Sequence, residues 1–240
     1  MKLVIPLLKF YFHDGIRTYI AEIIPFLIGC LEDSKEQQVA LWNLIWQDLL
    51  VATLAEPEAS VKSEQLYAIA SVIEILPQEA FTEEMIKKIT EVVEKAFVAH
   101  FERSDKRAEQ KKDEDFDEVV EQQLWDEMEE DNYVLTKASD VIHSLLKIHG
   151  ANYLPCMEPM IIPCVTKLIA PDRFWQERQW GICIWDDIVE FTGAAAIKYQ
   201  HMFVPHLLNY LADGSPEVRQ ACGYGCGIMA QFGQEAFARK

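Results

Sequence analysis

Leu154-Pro155-Cys156-Met157-Glu158-Pro159-Met160-Ile161-Ile162-Pro163-Cys164-Val165-Thr166-Lys167-Leu168 carries apolar residues at positions 154, 157, 161, 164, 165 and 168, the i, i+3, i+7, i+10, i+11, i+14 rhythm of one helix face. Trp42, Ile45, Trp46, Leu49 and Thr53 keep the same rhythm, as do Ile197, Val204, Leu207, Leu208 and Leu211. No period-2 run bounded by hairpin turns stands out. The fold class is all-α.

Outward from these faces, short turns recur with an acid or proline, then an apolar and a basic residue. They read Asp14-Gly15-Ile16-Arg17, Glu56-Pro57-Glu58-Ala59-Ser60-Val61-Lys62 and Asp213-Gly214-Ser215-Pro216-Glu217-Val218-Arg219, with Pro171 to Arg178 a looser version. Their basic residues lie 45 apart (17 to 62) and 41 apart (178 to 219), and 116 separate 62 from 178. That gap holds two repeats of about 40–47 residues and an insertion of about 30, the period of HEAT and armadillo hairpins. One hairpin cannot bury its own apolar face, so such units stack into a solenoid. The predicted pairs are 2–12 with 15–29, 36–55 with 59–76, 82–101 with 132–149, 153–169 with 175–192, and 195–212 with 216–233. Residues 1–240 then form one HEAT-repeat superhelical array of about five helical hairpins. A charged, acidic insertion, 102–131, lies within the third. The abrupt apolar opening at Leu3 and the repeat just begun after Gln234 read as a piece of a longer array. In the turns, Asp14 with Arg17, Asp172 with Arg178, and Asp213 with Arg219 are expected to form ladders or helix caps.

The chain has 240 residues, 22 basic and 39 acidic, for a net charge of −17, and half of it is hydrophobic. That apolar share excludes disorder, and no stretch approaches the roughly 20 uncharged apolar residues of a membrane span. The acidity repels nucleic-acid phosphates and favours basic partners. Six dispersed cysteines and the absence of any Asn-x-Ser/Thr acceptor suit reduced thiols in the cytosol.

Asp113, Glu114, Asp115, Asp117, Glu118, Glu121, Asp126, Glu127, Glu129, Glu130 and Asp131 put eleven acids into nineteen residues and supply −11 of the −17. Phe116, Val119, Val120, Leu124, Trp125 and Met128 are interleaved with them. Two readings stay open on the sequence. Either the stretch is a solvated segment pairing with the basic run from Arg103 to Lys112, or it is an electrostatic surface with apolar anchors for a basic partner. A second acidic candidate lies on the helix containing Trp180. There an apolar arc of about 200° leaves a narrow polar stripe of Asp186, Asp187 and Glu190, expected on an open concave edge where it would attract Lys or Arg. Gly223-Tyr224-Gly225-Cys226-Gly227 lies in a helical pattern without a preceding strand, so it reads as close helix packing and not a phosphate loop. The histidines form no metal-ligand pattern, and no nucleophile elbow or Walker sequence occurs. Neither an enzyme nor a cofactor is expected.

Several runs carry a family resemblance. Arg178-Gln179-Trp180-Gly181-Ile182-Cys183-Ile184-Trp185-Asp186-Asp187-Ile188-Val189-Glu190, with Ser215 to Ala221 and Tyr224 to Gln231, resembles the C-terminal half of receptors in the importin beta-3 branch of the karyopherin beta family. Asp113 to Glu118, Tyr133 to Ser144 and Val4 to Arg17 agree with it. The resemblance implies a nuclear import receptor built of HEAT repeats. It would bind basic cargo such as ribosomal proteins and histones, respond to Ran-GTP, and touch phenylalanine-glycine nucleoporins. It further implies a monomer that shuttles between cytoplasm and nucleus and binds neither nucleic acid nor membrane directly. The alternative is a HEAT-repeat scaffold subunit organising an enzyme assembly. Residues 31–100 match the family by pattern alone, so no functional residue is carried over there.

Overall fold

The structure, a computed structural model, describes residues 5–111 and 117–232. Among the described residues every regular element is helical. The α-helices are α1 (Asp14–Gly29), α2 (Lys35–Ala55), α3 (Ala59–Ile75), α4 (Glu83–Gln110), α5 (Glu118–His149), α6 (Leu154–Leu168), α7 (Trp175–Thr192), α8 (Gln200–Tyr210) and α9 (Pro216–Phe232). Short 3₁₀ turns occupy Ile5–Lys9, Gln78–Ala80, Gly150–Tyr153 and Gly193–Tyr199.

Local chemistry sets these limits. Ser34 Oγ accepts from the Gln37 amide at 3.4 Å at the start of α2, and Thr82 Oγ1 accepts from the Met85 amide at 3.2 Å at the start of α4. The Phe174 amide donates to Glu177 Oε2 at 3.0 Å, so the third residue of α7 reaches back to satisfy the residue before the helix. Pro216 opens α9, where its missing N–H costs nothing.

Three boundaries differ from the sequence reading, one being the helix expected over 195–212, which is the 3₁₀ turn Gly193–Tyr199 followed by α8 (Gln200–Tyr210). Of the segment 2–12, only the 3₁₀ turn Ile5–Lys9 is described as helical, because the chain after it closes through short-range bonds. Phe10 N donates to Leu7 O at 3.1 Å and His13 N to Phe10 O at 3.2 Å. Most of 102–131 is helix: α4 runs to Gln110 and α5 begins at Glu118. The helices extend because their buried faces extend, through Phe101, Ser104 and Arg107 on α4 and Leu124, Met128 and Asp131 on α5.

The chain divides into two compact units, residues 1–144 and 145–240. In the first, α1 lies along α3 and α2 packs on α4. Ala21, Ile24 and Ile28 of α1 and Leu66, Ile69 and Ile73 of α3 are fully buried, with Trp42, Ile45 and Leu49 on α2. Each large apolar side chain so buried contributes roughly 1.5–3 kcal/mol. In the second unit α7 lies along α9. Trp185 stacks on Phe203 with ring centroids 5.1 Å apart, and Ile182, Leu207, Val218 and Cys222 close the core.

An arginine joins successive helix pairs in each unit. Arg17, 1 % exposed, donates from Nε and Nη2 to both carboxylate oxygens of Glu56 at 2.8 Å, and from Nη1 to the Phe10 carbonyl at 3.1 Å. Its guanidinium lies 5.3 Å from the Tyr11 ring centroid. Arg178 likewise donates to Asp213 at 3.1 and 2.8 Å and lies 5.5 Å from the Tyr210 ring. The expected Asp14–Arg17 pair is present at 3.2 Å. Arg178 takes its acid from the turn before α9 instead of from Asp172, and Arg219 donates to the Asp213 and Gly214 carbonyls.

Arg17→Ala leaves the Glu56 carboxylate buried without its cation and is expected to cost about 3–5 kcal/mol. Arg17→Leu combined with Glu56→Leu should recover most of that. Urea unfolding midpoints check both; a double variant no better than the single one would show that charge burial is not the cause.

Candidate protein-interaction surface

Helix α5 starts on its own acid: Asp117 Oδ1 accepts from the Val119 and Val120 amides at 3.0 and 2.9 Å. Glu118 and Glu121 follow in the first turn, where the helix dipole favours negative charge. Leu124 and Met128 are buried and fix which face turns inward. The outward face then carries Glu118, Glu121, Trp125 and Glu129 at helical spacing, all exposed, with Trp125 46 % and Val119 67 % exposed. Asp126 is also exposed and accepts from Gln122 Nε2 at 2.8 Å.

The remaining acids of the segment turn toward cations. Asp131 is 4 % exposed and is held by Arg103 of α4, with Nε at 2.5 Å, and by Arg107. It is therefore a clamp between α4 and α5 and not the surface contact the sequence suggested, because Arg103 and Arg107 stand one turn apart on the facing helix. Glu127 and Glu130 line a groove of about 190 Å³ with Lys62, Arg103, Arg107 and Asp131. Burial, then Arg103, holds the Lys62 ammonium below its ordinary pKa. The expected pairing with the basic run is present at Asp131, while Glu118, Glu121 and Glu129 stay exposed. Asp113, Glu114 and Asp115 lie outside the described residues.

Helix α7 corrects the second expectation. Asp186 is 3 % exposed, and its Oδ2 finds no hydrogen-bond partner among the described residues. The helix wheel places it in the polar stripe, but α9 packs over that stripe at Gly225, where a Cβ would lie 2.3 Å from Asp186 Oδ1 and 2.7 Å from Leu207 Cδ1. Only a glycine lets α9 approach so closely. Gly223 and Gly227 face open space, so the packing reading of that run holds at Gly225 alone. Burial, then the charges of Asp187 and Glu190, pushes the Asp186 carboxyl up to about 9. Burial and Asp186 together push the Cys183 and Cys222 thiols up to about 12. At neutral pH Asp186 is an uncharged acid that cannot attract Lys or Arg. Asp187 and Glu190 stay partly exposed, and Tyr224 donates its hydroxyl to Glu190 at 3.1 Å.

A further groove, missed in the sequence, lies between α3 and α5. It holds about 330 Å³ and is lined by Tyr67, Ala70, Ser71, Glu74, Asp140, His143 and Ser144. Its signal was present as polar and tyrosine residues at 64, 67, 71 and 74 and at 133, 137, 140 and 144, each set on one helix face. Among the described residues no group of three or more His, Cys, Asp or Glu is gathered for a metal ion, and no helix is long and apolar enough to cross a membrane.

The profile described as "Importin repeat 6" matches residues 61–171, and the HEAT repeat profile matches 203–233. Importin subunit beta-3 of Saccharomyces cerevisiae is 23 % identical over 99 % of the chain and 22 % of its own length. A probable importin-5 homolog of Dictyostelium discoideum is 22 % identical over 97 % of the chain and 23 % of its own length. The chain spans under a quarter of the length of these relatives. Among solved structures, the karyopherin Kap121p bound to the SUMO protease Ulp1p superposes with a TM-score of 0.83 at 22 % identity, over 98 % of the chain and 21 % of Kap121p.

Asp186 tests the α7–α9 packing. Its carboxyl is protonated in the folded chain up to about pH 9 and ionised in the unfolded chain above its ordinary 3.8. The stability it allows is therefore complete below pH 3.8 and is lost as pH rises toward 9. Asp186→Asn is neutral throughout, so it should be more stable than the parent by up to about 4 kcal/mol at pH 7. The difference should widen between pH 5 and 8.5, and chemical unfolding across that range reads it. A difference independent of pH would show that Asp186 does not ionise on unfolding.

Proposed function

We propose that this chain, a homologue of importin beta-3 and importin-5, forms part of a karyopherin-type nuclear transport receptor and offers a basic cargo segment the acidic outward face of α5. The observation that carries the reading is the line Glu118, Glu121, Trp125 and Glu129, exposed on a helix that is anchored by buried Leu124 and Met128. Charge supplies attraction and Trp125 an aromatic anchor, the combination that places a positively charged segment. Asp187 and Glu190 provide a second, smaller acidic contact. Asp113, Glu114 and Asp115 would add charge at the head of α5.

The homology is to transport receptors and not to enzymes. Solved structures of Kap121p hold Pho4p, Nup53p and RanGTP, which supports basic cargo, nucleoporins and Ran-GTP as the partners of the whole receptor here. In this reading residues 1–240 are one HEAT array of five helical pairs, the acidic segment extends the third, and the receptor moves between cytoplasm and nucleus. Cargo release follows if cargo and Ran-GTP favour different curvatures, since two ligands are coupled only through such differential affinity.

The test is binding of a fluorescein-labelled Lys/Arg-rich ribosomal-protein segment, followed by anisotropy at two salt concentrations. Affinity should fall steeply with salt, and the triple reversal Glu118→Lys, Glu121→Lys, Glu129→Lys should weaken it on the order of tenfold. Asp186→Asn should leave it unchanged. Tight binding that ignores both salt and the reversal would sink the reading.

A further inference from the structure

Beside the α3–α5 groove sits a cation of the chain's own. Lys137 Nζ lies 4.8 Å from the Tyr67 ring centroid and 5.7 Å from that of Tyr133, and bonds Asp140 Oδ2 at 3.0 Å. Tyr133 donates its hydroxyl to Glu64 at 3.3 Å, and Ser144 donates to Glu74 at 3.1 Å. The site thus combines two aromatic faces, which attract a cation through the ring quadrupole, with carboxylates on both helices. Burial opposes the Lys137 charge, yet the bond and charge of Asp140 outweigh it and raise its pKa.

Lys137 does not fill this site. The open volume of about 330 Å³ lies beside it, bounded by Tyr67, Ser71, Glu74, Asp140 and Ser144. Asp140 bonds the ammonium, Glu74 stands across the groove on α3, and His143 also lines it. Both rings remain nearly half exposed, Tyr67 at 47 % and Tyr133 at 45 %. A volume of that size beside a seated ammonium, flanked by a tyrosine ring and by carboxylates of both helices, fits the long basic side chain of a partner.

We propose that the α3–α5 groove receives an arginine or lysine side chain from a partner's basic segment, and that Lys137 competes with it for Tyr67 and Asp140. This rests on the reading that the chain takes basic segments, but it places a contact on residues outside the acidic line of α5. Lys137 then acts as a resident competitor: a weak or singly charged partner does not displace it, whereas a segment bringing several charges does.

The experiment uses the full chain and a labelled twelve-residue peptide alternating glycine and arginine, compared with the same peptide carrying citrulline. Lys137→Met empties the competitor and should tighten arginine-peptide binding by about threefold or more, while Tyr67→Ala with Tyr133→Ala should weaken it by about fivefold or more. Tyr67→Phe with Tyr133→Phe keeps the ring faces and should stay within about twofold of the parent. Lys87→Met makes the same charge change on an exposed part of α4 and should leave binding unchanged. The citrulline peptide should be insensitive to all of these. The altered side chains are partly exposed, and circular dichroism confirms folding. If Lys137→Met binds no more tightly than Lys87→Met, or the double alanine variant binds as the parent does, the groove is not the site. Loss of binding on reversing Glu118, Glu121 and Glu129 with the groove variants silent would overturn this inference alone. Groove effects with the reversal silent would overturn the α5 reading alone.

Discussion

In each unit an arginine guanidinium clamps one helix pair to the next. Arg17 and Arg178 both stand in the first turn of a second helix, and each reaches a carboxylate in the turn that precedes the next second helix. The acid does double duty. Glu56 accepts the Glu58 amide at 3.1 Å and Asp213 accepts the Ser215 amide at 2.9 Å, so the residue that pairs the arginine also shapes the turn. An ion pair taken out of water returns little net stability compared with an apolar pair of equal volume. Its consequence is geometric: only one register brings the fork onto both carboxylate oxygens. Apolar faces such as that of α1 on α3 set a register less sharply than a bidentate pair does. The clamp supplies the sharper constraint.

The same constraint explains which parts of the fold the sequence disclosed. The apolar period located α2, α3, α6, α7 and α9 to within a residue or two, because their faces are continuous and their ends are marked by Ser34, Pro57, Pro171 and Pro216. It failed at 102–131, where charge masked a face made of Phe101, Ser104, Arg107, Leu124, Met128 and Asp131. Half of those residues are polar, and a rule that counts apolar residues cannot see a helix interface closed by Arg103 and Arg107 on Asp131. It also paired Arg178 with Asp172, a neighbour in the chain. The partner it uses, Asp213, lies a whole helix pair away.

Asp186 shows a different limit. A helix wheel gives direction but not what occupies it. The stripe containing Asp186 points at α9, and the glycine that permits the approach sits 39 positions later. With burial and the charges of Asp187 and Glu190 against ionisation, the carboxyl gives up its charge, which is the cheaper course for an acid out of water. The neutral acid lets α9 close over a polar position, and Asp187 and Glu190 keep the outward charge of that helix.

These placements divide the negative charge of the chain into two kinds with different physical reach. The exposed carboxylates of α5 act through water and are screened within a Debye length of about 8 Å at physiological salt, so they govern encounter more than residence. In the binding proposed for it, the α3–α5 groove would act at van der Waals distance on a cation that has shed part of its water, and so would govern how long a basic side chain stays. Steering that also held tightly would make release slow, and a contact site without steering would be found slowly. On the proposed reading, the first on an exposed helix face and the second in a groove beside Lys137 would let attraction be strong at a distance while a side chain entering the groove meets a competitor at contact.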